Sequence, residues 1–367
     1  MSDTSTETFR LSPESRRVFI GLMIGMFAAS VSQTIVGPAM PRIVAELGGM
    51  DHYSWVATAA MLMSAVVVPI AGKLSDLYGR RPFFLAGLIV FMVGSVIAGS
   101  TDNFWVLVAG RAVQGMGMGT IMPLAQTIVG DIIPARQRGK YQGYLGAVFG
   151  LTSVAGPLVG GIITDAFGWR WLFFAALPVG IVAFVLVFAF LHPPHTPRAA
   201  KIDVAGMMTL STALVAILLA TSWGGTTYPW GSPVIVGLYA AGGLLLGLFV
   251  LIETRAQEPV IPLHLFRSRV FRLANIAVFA FAMLMFSAVI YIPVYALGVL
   301  GVGATGSGLI LMPLMLGFVV MGIVAGRRIT HTGRYKTLML GGIVVMGHVL
   351  QHGQDAVIHL HGGLAGV

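Results

Sequence analysis

The sequence predicts an all-α protein that crosses a membrane many times, and three observations predict it. Of the 367 residues, 57% are hydrophobic and only 10% charged, against about 25% charged in an ordinary soluble domain. Mean hydropathy is +0.89. The apolar residues also fall in runs of about 20, the length a helix needs to cross the hydrocarbon core, and do not alternate with polar residues as membrane barrel strands do. The 48 glycines and 18 prolines follow no collagen period and no polar tract, so neither fibre nor disorder fits. With no cysteine in the chain, disulfides, thiol catalysis and thiolate metal sites are excluded.

The runs define about eleven spans. The first, 18–40, opens VFIGLMIGMFAASVSQTIVG; with 17 residues before it and no small-residue cleavage site, it reads as a retained helix and not a signal peptide. Then come 55–72, 83–100, 104–126, 141–163 and 171–191. The polar break HPPHTPRAAKID follows, then 204–222 and 233–252, a basic, proline-containing connection, and finally 271–297, 305–326 and 337–350. The expected organisation is a cytoplasmic N-terminal segment (1–17), a first six-helix bundle (18–191), a cytoplasmic linker (192–203), a helix pair (204–252), a second cytoplasmic linker (253–270), three helices of a second bundle (271–350) and a polar tail (351–367).

Charge fixes the expected orientation. Nineteen of the 22 Lys and Arg residues lie before the first span or in the loops between spans two and three, four and five, six and seven, eight and nine, and ten and eleven. The positive-inside rule therefore puts the N-terminus in the cytoplasm. A net charge of +9 spread over short loops forms no basic face, which argues against a nucleic-acid partner. The six tryptophans all fall at the opposite span ends and are expected to be interfacial anchors.

Two loops repeat. Gly72, Asp76, Gly79, Arg80 and Arg81 lie in GKLSDLYGRR; Gly326, Gly333 and Arg334 lie in GRRITHTGRYK. Glycine, glycine and arginine recur at the same spacing, as two parallel bundles would require, and the pair 204–252 then reads as an insertion between them. The glycines are expected to allow close helix approach and a turn of positive φ. Asp76 can pair with a basic neighbour in one conformation and release it in another. Setting topology alone is the plainer role open to Lys73, Arg80 and Arg81.

Arg111 is the only basic residue deep inside a span. A cation in hydrocarbon costs several kcal/mol, about 2.5 or more even on insertion scales, so it should face the bundle interior beside Gln114, three residues on; reaching out to headgroups is the alternative. Ser32, Gln33 and Thr34, with Gly37, Pro38 and Pro41 behind them, make a polar, breaker-flanked patch in the first span. Gly156, Pro157, Gly160 and Gly161 give the fifth span a kink and a flat face that can pack on the opposite bundle, although ordinary small-residue packing also accounts for them. Tyr291 and Tyr295, near the outer end of the ninth span, suit either an apolar ligand or lipid. No Asp or Glu lies deep in a span, and no metal-ligand cluster, nucleophile–base set or phosphate loop occurs, so neither an enzyme nor a bound cofactor is expected.

Taken together these motifs resemble the major facilitator superfamily, and within it the fourteen-helix drug:proton antiporter branch (EmrB/QacA-like), over about residues 15–346. GKLSDLYGRR looks like that family's loop between helices two and three, GPLVGG (156–161) like its antiporter motif, and Arg111 stands at its arginine linked to proton transfer. QTIV (33–36), WRWLFF (169–174) and YIPVY…GSGLILMP (291–313) look like the fourteen-helix branch. The resemblance implies the major facilitator fold and multidrug or small-molecule efflux across the cytoplasmic membrane by alternating access, driven by the proton gradient. Amphipathic or cationic small molecules, protons and the lipid bilayer are the implied partners. It places Gly72–Arg81, Gly156–Gly161, Gly326, Gly333 and Arg334 in conformational change. Arg111, Gln114, Ser32, Gln33, Thr34, Tyr291 and Tyr295 fall on the proton or substrate path. Two departures stand out. Ser32 occupies the place of the family's usual aspartate, and the family pattern continues past the end of this sequence. A C-terminal truncation is therefore expected, and the 367 residues alone are not expected to complete a transport cycle. A same-fold transporter of a specific metabolite and a non-transporting remnant are the competing readings.

Overall fold

The computed structural model describes residues 11–134, 137–191, 202–299, 304–332, 338 and 340–342. Twelve α-helices run through them: α1 Pro13–Thr34, α2 Met40–Leu47, α3 Trp55–Tyr78, α4 Arg80–Gly99, α5 Phe104–Ile132, α6 Arg138–Phe167, α7 Arg170–Phe174, α8 Ala176–Phe190, α9 Val204–Trp223, α10 Pro233–Glu253, α11 Arg269–Gly298 and α12 Ala304–Thr332. The protein is an all-α, multi-pass membrane protein. Among the described residues eight helical segments are long and apolar enough to cross a membrane, and α6, bent by 40° between Ser153 and Ala155, makes a ninth. The bend has a local cause: Pro157 has no N–H to give the carbonyl of Ser153, four residues back. At 29 residues α5 is also long enough, but Arg111, Gln114 and its glycines dilute its apolarity. The eleventh expected span and Gly333, Arg334 and Lys336 lie outside the described residues, apart from 338 and 340–342.

The helix starts follow capping chemistry. Ser12, Asn103, Asp203, Ser232 and Ser268 each accept a backbone N–H of the first turn. The first span differs from expectation. Its helix ends at Thr34, and the Gly37–Ala39 segment forms a 3-10 turn before α2. Pro38 and Pro41 explain the break, since proline tolerates only the first turn of a helix.

Helices α1, α4 and α5 share one core of Leu22, Phe84, Leu88, Phe91, Ile121, Leu124 and Ile128. A second cluster at the other end joins Ile43, Val56, Leu107, Trp169 and Phe173. Trp169 is thus not the interfacial anchor expected of it: it is 2% exposed, and its Nε1 donates to Glu46 at 2.7 Å. Trp105, Trp171 and Trp230 are exposed, as anchors are. The pair α9–α10 packs on α3, where Met207, Leu210 and Phe249 meet Ile70 and Leu74. Helix α12 packs along α6: Gly139 lies against Gly326, and Gly143 against Gly322. Helix α11 touches α12 and the turn before itself, and the apolar stretch of its span is 0% buried.

Candidate functional site

Helix α5 is held between two neighbours by backbone approach. A Cβ on Gly115 or Gly119 would strike the carbonyls of Ala60 and Ser64 on α3, and one on Gly117 would strike the backbone of Phe91 on α4. Small residues permit this contact, and in a membrane close packing replaces the hydrophobic drive that water provides elsewhere. The consequence is that Arg111 and Gln114, on the same helix, are sealed inside.

Arg111 is 2% exposed and Gln114 0%. The Arg111 Nε donates to the carbonyl of Val56 on α3 at 3.1 Å, and Nη1 to the carbonyl of Ser32 on α1 at 3.3 Å. Nη1 also donates to Gln114 Oε1 at 2.5 Å, and Gln114 Nε2 donates to Ser95 Oγ on α4 at 2.7 Å. One side chain therefore joins α1, α3 and α5, and through Gln114 reaches α4. Among the described residues no carboxylate pairs with Arg111. Its charge is met by dipoles alone, the arrangement a buried cation adopts when no acid is at hand.

The polar patch of the first span divides. Ser30 and Ser32 are buried, and Ser30 Oγ shares a 2.5 Å hydrogen bond with Thr152 Oγ1 of α6. Thr34 Oγ1 donates to the Thr152 carbonyl at 3.1 Å. Gln33 is half-buried. Beside them a cavity of about 170 Å³ opens between α1, α6 and α8, with Phe27, Val31, Ile35, Val159 and Leu172 among its walls and Ser32 the one polar side chain lining it.

Gly156 and Gly160 do not face the opposite bundle, as the sequence suggested; they press on Thr34 and Ile35 at the end of α1. Pro157 is exposed, and Gly161 meets nothing within 4 Å. The face turned to α12 is the earlier row of Gly139, Gly143 and Gly150. Spacing alone could not separate these rows, because both are glycine-rich and lie on one helix.

At the basic end, Gly79 has φ +99 and makes the turn between α3 and α4 that an L side chain resists. Gly72 has open space around it and makes no close approach, contrary to expectation. Arg80 lies between Asp76 at 3.1 Å and Asp131, at the end of α5, at 2.5 Å. Arg81 donates to the Phe188 carbonyl in the last turn of α8 at 2.6 Å and stacks on the Phe188 ring. Lys73 pairs with Glu258, in the connection after α10, at 2.8 Å. Asp131 and Glu258 escaped the sequence reading. The signal was available: the chain has only 13 acids, and both stand at the basic ends of spans. Gly326, against Gly139, lies at this same end. At the far end Arg170 bridges Glu46 and Asp102, the latter at 2.6 Å. Tyr291 and Tyr295 are exposed on α11 and are not brought to the Arg111 cluster.

Residues 22–351 match the Major Facilitator Superfamily. The chain is 39% identical over 339 residues to the multidrug transporter protein MdtP of Bacillus subtilis, covering 92% of this chain and 63% of that one. It is 41% identical to an uncharacterized MFS-type transporter of Mycobacterium tuberculosis, covering 92% of this chain and 49% of that one. It is 38% identical to the multidrug resistance protein 3 of Bacillus subtilis, covering 89% and 64%. The chain thus spans about half to two thirds of the length of these relatives. Among solved structures, the human organic anion transporter MFSD10 overlays with a TM-score of 0.47 at 17% identity, over 88% of this chain and 96% of that one, too loose a match to carry an argument. On the sequence match and the helical architecture, the chain belongs to the Major Facilitator Superfamily.

Proposed function

We propose that this chain works as an efflux transporter of amphipathic small molecules, moving them out of the cell by alternating access and exchanging them for protons. The observation that carries the reading is Arg111, a buried guanidinium bonded to carbonyls of α1 and α3 with no acid beside it among the described residues. A packed core has no use for an unneutralised charge, whereas a transporter can use one to attract a substrate carbonyl or a transient anion. The names of MdtP and of multidrug resistance protein 3 support the substrate class. So does the cavity beside Ser32, whose almost wholly apolar walls suit an amphipathic compound better than a polar metabolite. The basic end is the cytoplasmic end in this reading, with the N-terminus inside and the protein in the cell membrane. Arg80, shared between Asp76 and Asp131, ties α3, α4 and α5 there and is the natural latch of the inner gate.

The test is gradient-driven movement of a fluorescent cationic dye in vesicles. It is run on the chain as it stands, and on a chimaera that continues after residue 350 with the C-terminal part of MdtP, so the need for two full bundles is read separately. The expected result is dye movement by the chimaera that stops when the gradient is collapsed and is lost in Arg111→Ala. Movement that ignores both the gradient and Arg111→Ala would overturn the reading.

A further inference from the structure

Glu253 is the one carboxylate among the described residues that is buried, at 4% exposure. It closes α10, one residue beyond the eighth apolar run, where the chain turns back. Its Oε1 accepts the backbone N–H groups of Val260 at 2.9 Å and Ile261 at 3.2 Å, so this carboxyl folds the connection onto the helix pair. Its Oε2 is buried and has no hydrogen-bond donor among the described residues. Asp203, which caps α9 through Oδ1 at 2.8 Å to the Gly206 N–H, likewise buries an Oδ2 without a donor. The start of α9 and the end of α10 come together here, with Met207 and Phe249 in one cluster. Around them Val260 and Ile261 pack with Met207, Phe249, Ile70 and Leu74.

The charged groups of the elements at this junction can be named among the described residues. Helix α9 brings Asp203 and α10 brings Glu253. Helix α3 brings Lys73 and Asp76, and the connection brings Glu258, the exposed Arg255, His264 and Arg267. Lys73 is the cation that would favour an ionised Glu253, but it is engaged with Glu258 at 2.8 Å. Glu253, with an orphan oxygen in an apolar junction, is costly to keep ionised: burial favours the neutral acid, against the two backbone N–H groups on Oε1 that favour the charged one. One proton turns an orphan acceptor into a donor and removes the charge.

We propose that Glu253 is a proton-binding site, protonated while the connection 254–268 is folded against α3, α9 and α10, and that release of this proton unseats the connection together with the Lys73–Glu258 pair. The site differs from the Arg111 cluster and lies in the helix pair between the bundles. It adds to the transport reading a place where protons act on the Gly72–Arg81 hinge, but the burial and geometry that carry it do not depend on transport.

The test uses purified protein in lipid nanodiscs and reads infrared absorption of protonated carboxyl groups across a pH titration. The parent chain should show a protonated-carboxyl band at neutral pH that disappears at alkaline pH. Glu253→Gln should lose that band, and Asp203→Asn, which removes the like charge, should shift its midpoint to lower pH. Because the chain has no cysteine, Tyr78→Cys and Leu265→Cys can carry spin labels. Their distance distribution should broaden at alkaline pH in the parent and stay narrow in Glu253→Gln. Absence of the band at neutral pH, or its survival in Glu253→Gln, overturns the proposal. If Glu253→Gln does not fold, the Asp203→Asn midpoint decides: a shift to lower pH supports the proposal and an unmoved midpoint rejects it. A failed transport assay with this infrared result intact would count against the transport reading only.

Discussion

Arg111 sits where a lysine would not serve. Its fork reaches the carbonyls of Ser32 and Val56 and the Gln114 amide at once, each from a different direction. Breaking a buried ion pair leaves an uncompensated charge and costs about 3–5 kcal/mol, but here no carboxylate waits on the other side. Arg111→Met keeps the apolar stem and removes a desolvated charge, a gain, together with the donor to the buried Gln114 Oε1, a loss of about 1–3 kcal/mol. The purified variant should therefore unfold within about 1 kcal/mol of the parent, or above it, while dye efflux falls to background. Denaturation curves showing a loss as large as a broken ion pair, or efflux at the parent rate, would contradict this. Ser32 gives the complementary experiment. An acid placed here would stand on the residue whose own carbonyl Arg111 already holds. In Ser32→Asp, a double-mutant cycle with Arg111→Met should show coupling of about 1–3 kcal/mol; no coupling would mean the two side chains do not meet.

At the scale of elements, α5 is fixed by its glycines and α6 by two rows of them, and the rows differ in what they touch. Gly115→Leu drives a side chain into the Ala60 carbonyl and should cost at least the ~1–3 kcal/mol of an overpacked core. Gly161→Leu enters open space and should leave the thermal midpoint unmoved or raise it. Equal losses at the two sites would mean that the α3–α5 contact is wrongly assigned. The runs themselves were legible because hydrocarbon demands a long apolar stretch for each crossing, and helices lie over ten of the eleven runs. Which face of a span meets which neighbour was not. Lipid and core are equally apolar, and a span such as α8 or α9 carries no stripe to mark its packed side. That is why GPLVGG was assigned to the wrong neighbour and Trp169 to the interface. Arg111 and Gln114 were legible for the opposite reason: a polar side chain in hydrocarbon has only one place to go. The partners of Arg80 and Lys73 were not, since Asp131 lies 51 residues from Arg80 in sequence, and Glu258 lies 185 from Lys73.

At the scale of the whole molecule, α6 meets α12, with Gly139 on Gly326 and Gly143 on Gly322 at the basic end. Under the proposed alternating access, this contact would close in one half of the cycle and open in the other. Helix α10 and its connection, seated on α3 beside the same end, are placed to bias that motion. The absence of native cysteine makes the contact directly addressable. In Gly139→Cys/Gly326→Cys, a Cβ on residue 139 starts 3.5 Å from the Gly326 backbone, while one on residue 326 crowds the Gly139 carbonyl and shifts the helices slightly apart; at this closeness an oxidant should cross-link the pair in the resting protein. The decisive measurement is the cross-linking rate in dye-loaded vesicles of the chimaera before and after a proton gradient is imposed, with efflux followed in the same sample. The two-bundle account predicts fast linking at rest, slower linking during transport, and efflux that stops once the pair is linked and resumes on reduction. Linking that is indifferent to the gradient, with efflux continuing through the linked protein, would contradict it.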